Sequence, residues 1–151
     1  MTVLADTATY ANSAFGVQLE HPANWQPDLN YESYDSVESS FADPRGREYG
    51  FFLVDACCSG DIGLDEAAEL QARHKLKPFG EQPSVTSVQL SAGEGRLILP
   101  DGSAPDPYSA ALVVPYKSPR QISSTGTYKF FILYAHKEFI RDIGQSLRFT
   151  N

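Results

Sequence analysis

Regular alternation of apolar and polar residues predicts several strands along this chain. In residues 15–21, FGVQLEH, the side chains alternate with the period of two that is typical of a half-buried strand. Pro22 has no amide hydrogen for a strand ladder, so we expect this strand to end there. Residues 84–90, SVTSVQL, alternate in the same way and predict another strand.

Further strands are predicted where apolar residues are dense between turn-forming residues. These segments are 36–42, 49–58, 94–100, 110–116 and 128–135. The turn DPRGRE at residues 43–48 indicates a hairpin between the first two segments. Pro115 favours an edge position or a strand end for the segment that contains it. We also expect turns at GEG, residues 93–95, and at SPRQISSTG, residues 118–126.

Residues 64–77, LDEAAELQARHKLK, have the composition of a helix. Acidic residues open the segment, and His74, Lys75 and Lys77 close it, an order that suits the helix dipole. The apolar stripe is narrow and poor in large side chains. We therefore expect this helix to lie on a surface and to bury little area.

A second helix is predicted over residues 137–147, KEFIRDIGQSL. Its apolar residues recur at helical spacing. The face that they form consists of Phe139, Ile140, Ile143 and Leu147. Gly144 carries a small cost in helix propensity, and we expect it to allow close packing against a neighbour.

The order of these elements predicts an α+β protein. Consecutive strands joined by short turns imply an antiparallel β-sheet, against which the two helices would pack. The length of 151 residues suits one domain, which we expect to span residues 1–151. No repeat or linker divides the chain.

Composition narrows the class of protein further. Apolar residues make up 42% of the chain, and no apolar run approaches the roughly 18 residues of a membrane-spanning helix. The first residues lack the pattern of a signal peptide. Either a cytoplasmic protein or an extracytoplasmic domain without its signal fits this sequence. A net charge of −7 disfavours a nucleic-acid partner, because such binding needs a basic surface.

Charge is unevenly spread along the chain. Residues 1–69 carry thirteen acidic residues and two arginines, a charge of −11, whereas residues 70–151 carry +4. Such a split is typical of an acidic surface that faces a partner. We favour the alternative, in which strands from the two halves interleave and the charges mix in space.

The two cysteines, Cys57 and Cys58, are adjacent. Neighbouring side chains on a strand point to opposite faces, so we expect two free thiols, one buried and one partly exposed. An alternative function uses this pair as the nucleophile of a thiol-dependent or hydrolytic enzyme, with His74 or His136 as the base. No histidine or cysteine spacing predicts a metal site, and we expect no cofactor.

Aromatic residues supply the candidate binding positions. Trp25 follows the first predicted strand, in the segment PANWQPD, where its indole would cover the open end of a core. Tyr31, Tyr34, Tyr108 and Tyr116 fall in or near predicted loops. Exposed tyrosines offer a large contact area at small entropic cost, so these five aromatic residues are our candidates for a ligand or partner contact.

Both ends of the chain resemble the PsbP-like superfamily. Tyr10 followed by FGVQLEHPANW, residues 15–25, resembles its opening motif, and EFIRDIGQSLRF, residues 138–149, resembles its last helix and short tail. Members include a photosystem II accessory protein, a nuclear import factor that binds the GTPase Ran, and bacterial lipoproteins. The resemblance implies a central antiparallel β-sheet between helices, an α/β/α sandwich of PsbP-like type. The matching residues are packing residues, so no activity is transferred with them.

These observations together favour a non-catalytic accessory or binding domain for a protein or a small ligand. The loops at residues 28–35 and 100–109, or one face of the sheet, would form the contact. An extracytoplasmic lipoprotein-type protein is one setting that the resemblance implies.

Overall fold

The structure is a computed structural model that describes residues 6–28, 40–42, 50–122 and 126–150; for residues 26–28 and 40–42 it describes the backbone only. The described residues form ten strands and two helices. In chain order they are β1 Thr7–Asn12, β2 Val17–Pro22, β3 Gln26–Asp28, β4 Ser40–Ala42, β5 Phe51–Cys57, α1 Leu64–Ala72, β6 Ser84–Leu90, β7 Gly93–Leu99, β8 Ser109–Ile122, β9 Gly126–His136, α2 Ile140–Gln145 and β10 Arg148–Phe149.

Seven strands form the main sheet, in the order β3-β4-β5-β9-β8-β7-β6. Every neighbouring pair in it is antiparallel, so the predicted α+β class with a central antiparallel sheet is confirmed. The expected hairpin partners β4 and β5 do pair, with Phe41 opposite Phe52. The turn predicted at 43–48 lies outside the described residues.

A second, smaller sheet was not predicted. It has the order β1-β2-β10, and β2 pairs with both neighbours in antiparallel fashion. Pro22 is the last residue of β2, in agreement with its expected role as the stop of that strand.

The main sheet is covered on both faces, because alternate side chains of its strands enter two separate cores. On β8, Leu112 and Val114 belong to the larger core, together with Ile140 of α2 and residues of β1 and β2. On the opposite face, Ala111 and Val113 pack with the alanines of α1. The helices therefore lie on opposite sides of the sheet, as the predicted sandwich requires.

Helix α1 is shorter than predicted and ends at Ala72 rather than at residue 77. Lys77 has a positive φ of 49°, and Phe79 is buried against the core beneath α1. Burial of that ring turns the chain out of the helix, so the basic residues expected in the last turn lie beyond it. The narrow alanine stripe is as predicted, since Ala67, Ala68 and Ala72 are fully buried.

Helix α2 is also shorter than predicted, with residues 137–139 forming a turn before it. Its expected inner face is confirmed for Ile140, Ile143 and Leu147, which are fully buried. A Cβ at Gly144 would collide with the side chain of Leu112, so this glycine does allow close packing.

Two expected turns are strand instead. Gly93–Gly95 begins β7 and pairs with the end of β6, and residues 118–122 belong to β8. In the sheet order β8 lies between β7 and β9, but β7 pairs only with residues 111–113, so Pro115 has an unpaired edge on that side, as expected. On the other side Pro115 is in register with Phe130 of β9, and a register shift follows between Pro115 and Arg120.

Charges from the two halves of the sequence meet in space. Arg96 of β7 contacts Asp65 of α1 at 2.7 Å, and Lys129 of β9 lies 3.6 Å from Asp61. The favoured interpretation, that the halves interleave, agrees with these ion pairs. Among the described residues, no helix is long and apolar enough to cross a membrane.

Candidate functional site

The candidate aromatic residues lie at different places in the fold. Tyr31 and Tyr34 lie outside the described residues, as does most of the loop at 28–35. Trp25 and Tyr108 lie near the C-terminal end of β9, whereas Tyr116 packs against Phe131 in the middle of that strand. The structure therefore does not bring Trp25, Tyr108 and Tyr116 into one site, and a binding role for each stays a prediction.

Trp25 closes one end of the larger core. Its side chain is only 3% exposed, and its ring packs edge-on against Phe139 at 5.3 Å between centroids and lies 6.2 Å from Phe52. Gly50, with φ of +147°, leaves room for the indole, since a Cβ there would collide with it. The interpretation of Trp25 as a cover for the core is confirmed.

His21 and His136 are buried beside this closed end. The ring of His21 lies 6.3 Å from that of Trp25, and its Nδ1 is 2.9 Å from the carbonyl oxygen of Pro22. Burial lowers the pKa of His21, although the carbonyl contact and the charge of Glu20 partly oppose this effect. His136 stacks on the half-buried Tyr108 with ring centroids 5.4 Å apart. Both histidines therefore have packing roles.

Tyr116 lies at the opposite end of the larger core and is 9% exposed. Its ring lies 5.1 Å from that of Phe149, and its hydroxyl donates a hydrogen bond of 2.7 Å to the carbonyl oxygen of Phe15. Burial raises the pKa of the Tyr116 phenol, and the nearby charge of Arg120 lowers it to a lesser extent. Tyr116 is thus a neutral donor that fixes β8 to the turn between β1 and β2.

Beyond Tyr116, strand β8 bulges. Residues 116–119 have no register partner on β9, and β7 pairs with β8 only over residues 111–113. Pro115 and Pro119 lack amide hydrogens, so this stretch is poorly suited to a regular ladder. A space lies between this stretch of β8 and the tail of the chain.

That space is an open groove of about 430 Å³, which we call the β8 groove. Its lining comes from the bulge and from the tail of the chain. The lining residues are Tyr116, Lys117, Ser118, Pro119, Arg120, Gln121, Phe149 and Thr150. None of these is acidic, in a chain whose net charge is −7.

Two cations define the electrostatics of the β8 groove. Lys117 is exposed, and no described carboxylate lies within ion-pair distance of it or of Arg120. The Arg120 guanidinium instead donates from Nε to the carbonyl of Ala14 at 3.0 Å and from Nη2 to that of Ser13 at 2.7 Å. Arg120 is therefore held in place by neutral acceptors, and no carboxylate in the described part of the chain neutralises its positive charge.

The cysteines differ from the prediction. Cys57 and Cys58 form a disulfide with an S–S distance of 2.05 Å, joined by a cis peptide bond, so two free thiols were wrongly expected. Strand β5 ends at Cys57, and the alternation of faces used in the prediction does not extend to Cys58. Both residues pack at the edge of the core beneath α1. In this form neither sulfur is a thiolate nucleophile.

Acidic residues at the start of α1 are engaged with cations. Asp65 contacts Arg96 and Glu69 contacts Arg73, each at 2.7 Å. Within the described part of the chain, no group of three or more metal-ligating side chains comes together. Among the described residues, the β8 groove is therefore the strongest candidate for a binding site.

Sequence reasoning identified Tyr116 but missed its neighbours. Lys117, Arg120 and Phe149 come together through the register shift and through the return of the tail to β2. The signal in the sequence was the pair Pro115 and Pro119 around Lys117, directly after the apolar run of β8. That pattern indicates a strand with an interruption, whereas the turn expected at residues 118–126 ends the strand too early.

Fold and groove together define a class: an α+β protein with helices on both faces of an antiparallel sheet and a cationic groove at one end of its core. No protein-family model matches the chain, and no curated protein matches it in sequence. In structure it is similar to the Ran-binding protein Mog1p of Saccharomyces cerevisiae, with a TM-score of 0.55 and 8% identity over 97% of this chain and 96% of that chain. At this identity the similarity shows the fold alone.

Proposed function

We propose that this chain is a non-catalytic accessory domain, formed by residues 1–151 as one unit, that binds a protein partner through the β8 groove. The observation that carries the proposal is the groove itself, in which two cations without a carboxylate partner among the described residues lie beside a partly buried aromatic ring, Phe149. Charged groups at a surface steer association and select partners. An aromatic ring beside them supplies contact area.

The similarity to a Ran-binding protein supports the proposal at the level of fold. Folds of this kind carry no function by themselves, so the argument for binding rests on the groove. The structural similarity and the motifs at the two chain ends also support a further proposal, that the chain belongs to the PsbP-like superfamily.

Site-specific photo-crosslinking tests the proposed function. A photo-reactive amino acid at Ser118, which is exposed in the groove, is compared with the same group at the exposed Lys75, which does not line the groove. We expect extract of the source organism to give an adduct from the groove position alone, and excess unlabelled protein to suppress it. Equal labelling from both positions, or none from either, would contradict the proposal.

We also propose an extracytoplasmic setting, because disulfides persist in oxidising compartments and are rare in the cytosol. Protein isolated from its source under acid quench should resist alkylation until it is treated with a reductant. Two alkylated cysteines without reductant would contradict this assignment and leave the proposal about the groove untouched.

A further inference from the structure

We infer that the β8 groove binds an acidic, extended segment of the partner, with a carboxylate held between Lys117 and Arg120 and an apolar side chain against Phe149. This inference rests on the proposed function and specifies the chemistry of the partner. It follows from the charge, the shape and the rigidity of the groove.

Charge is the first argument. The groove has two cations and no acidic lining residue, although acidic residues outnumber basic ones by seven in the chain as a whole. A cation with a free surface attracts a carboxylate and repels a basic segment, which gives selectivity as well as rate. The net negative charge of the chain also disfavours a long polyanion such as nucleic acid, which would be repelled at a distance.

Arg120 is ready to receive a carboxylate. The carbonyls of Ser13 and Ala14 hold its guanidinium by Nε and Nη2, while Nη1 makes no hydrogen bond to any described residue. Gly16 makes this position available, because a Cβ at that residue would collide with the guanidinium. A preorganised guanidinium loses little side-chain entropy on binding, so the nitrogen that remains is a favourable donor to a carboxylate.

Shape favours an extended segment over a helix or a small ligand. A helix with side chains is about 10–12 Å across and needs a long apolar groove. The β8 groove holds about 430 Å³ and has a mostly polar lining that is open to solvent. Small-molecule sites of this volume are more enclosed and mostly apolar. One or two side chains of an extended segment fit such a groove.

Recognition is through side chains rather than through a new strand. Pro119 has no amide hydrogen, and a lysine such as Lys117 on an exposed strand discourages pairing with another chain. The bulge therefore protects β8 from edge-to-edge association while its side chains remain exposed. The segment would cross the bulge, with its acidic and apolar side chains alternating as those of an extended chain do.

A defined peptide tests the inference. The probe is a fluorescently labelled peptide that alternates glutamate with valine, and the matched control replaces every glutamate by glutamine. Lys117→Glu removes a groove cation, whereas Lys75→Glu makes the same charge change at an exposed position outside the groove. Fluorescence anisotropy, at low and at raised salt, measures each dissociation constant.

We expect the glutamate peptide to bind the wild-type protein and the Lys75→Glu variant alike, and Lys117→Glu to weaken binding by about tenfold or more, which is about 1.4 kcal/mol. Raised salt should weaken the wild-type complex, because the ion pairs are exposed. Equal binding of the glutamine peptide, or equal losses in the two variants, would overturn the inference. Preferential binding of single-stranded DNA would assign the groove to a nucleic acid and also overturn it.

Mapping the photo-adduct separates this inference from the proposed function. Mass spectrometry of the adduct formed at Ser118 identifies the segment of the partner that touches the groove. An acidic segment agrees with both proposals. A neutral or basic segment contradicts the acidic partner but leaves a protein-binding groove in place, and the lack of any adduct contradicts the proposed function itself.

Discussion

The two ends of the larger core are built from similar residues but differ in what covers them. At one end Trp25 is packed against Phe52 and Phe139, and Gly50 makes the room that its ring needs. At the other end Tyr116 and Phe149 are in contact, yet the bulge in β8 leaves an open groove beside them. We call these the closed end and the open end.

The difference lies in the backbone rather than in the choice of aromatic residue. At the closed end a glycine with φ of +147° brings its strand onto the indole. At the open end, residues 116–119 of β8 have no register partner on β9, and Lys117 and Arg120 line the groove together with Phe149. An aromatic residue near a strand end is therefore a packing residue or a site residue according to how the neighbouring strand is paired.

Trp25→Ala should cause the largest loss of stability. The substitution removes the cover of the closed end and leaves a cavity, for which we expect a cost of about 3–5 kcal/mol. Urea denaturation measures it, and Trp25→Phe should recover part of the loss because a ring remains. If Trp25→Ala leaves the urea midpoint unchanged, the indole is not part of the core and the distinction between the two ends fails.

Tyr116→Phe should cause a smaller loss at the open end. It removes the hydroxyl that donates to the carbonyl of Phe15 and leaves that buried acceptor without this partner, at a cost of about 1–3 kcal/mol. The ring contact with Phe149 is retained, so the lost stability reports the hydrogen bond alone. A midpoint that equals the wild-type value would show that the bond does not tie β8 to the turn before β2.

Stability should also depend on pH through His21 at the closed end. Its folded-state pKa is lowered from 6.5, chiefly by burial, so the unfolded chain binds the proton more readily. Its contribution is fully present above pH 6.5 and declines as the pH falls through and below that value. His21→Phe removes this imidazole, so the variant should lose less stability between neutral and mildly acidic pH than the wild-type protein does. Identical pH profiles would contradict a neutral, buried His21.

Lys117→Glu should have the smallest effect on stability. The side chain is exposed and has no described partner, so we expect a change within about 0.5 kcal/mol. Equal urea midpoints for Lys117→Glu, Lys75→Glu and wild type would show that any loss of peptide binding is a property of the groove. A large loss of stability would mean that Lys117 has a structural role, and the groove would then need another probe.

Local sequence patterns predicted the elements whose structure depends on the residues of one short segment. The alternation in residues 84–90 matches β6, and the apolar run of 128–135 lies within β9. The position of Trp25 after a strand ended by proline predicted its burial. In each case the side chains of one short segment carry the information, because the period of two is a property of the strand itself.

Contacts between distant segments were beyond this reasoning. Strand β1, TATYAN, has few large apolar residues, and β10 has two residues, so both exist through their pairing with β2. The end of α1 is set by burial of Phe79, which lies outside the helix. The β8 groove arises from a shift in pairing between β8 and β9. Pro115 and Pro119 indicate an interruption in β8, but they do not indicate which residues of β9 pair with the strand beyond it.

The composite small sheet has a consequence for the order of events during synthesis. Strand β2 takes β1 as one neighbour and β10, from the far end of the described chain, as the other, and the Thr150 amide also donates to the carbonyl of Gly16 at 2.7 Å. Pairing across such a sequence distance is slow to form. While residues 148–150 are still in the ribosome, β2 can pair with β1, but its other edge has no partner. Until those residues emerge, that edge can pair with a strand of another chain.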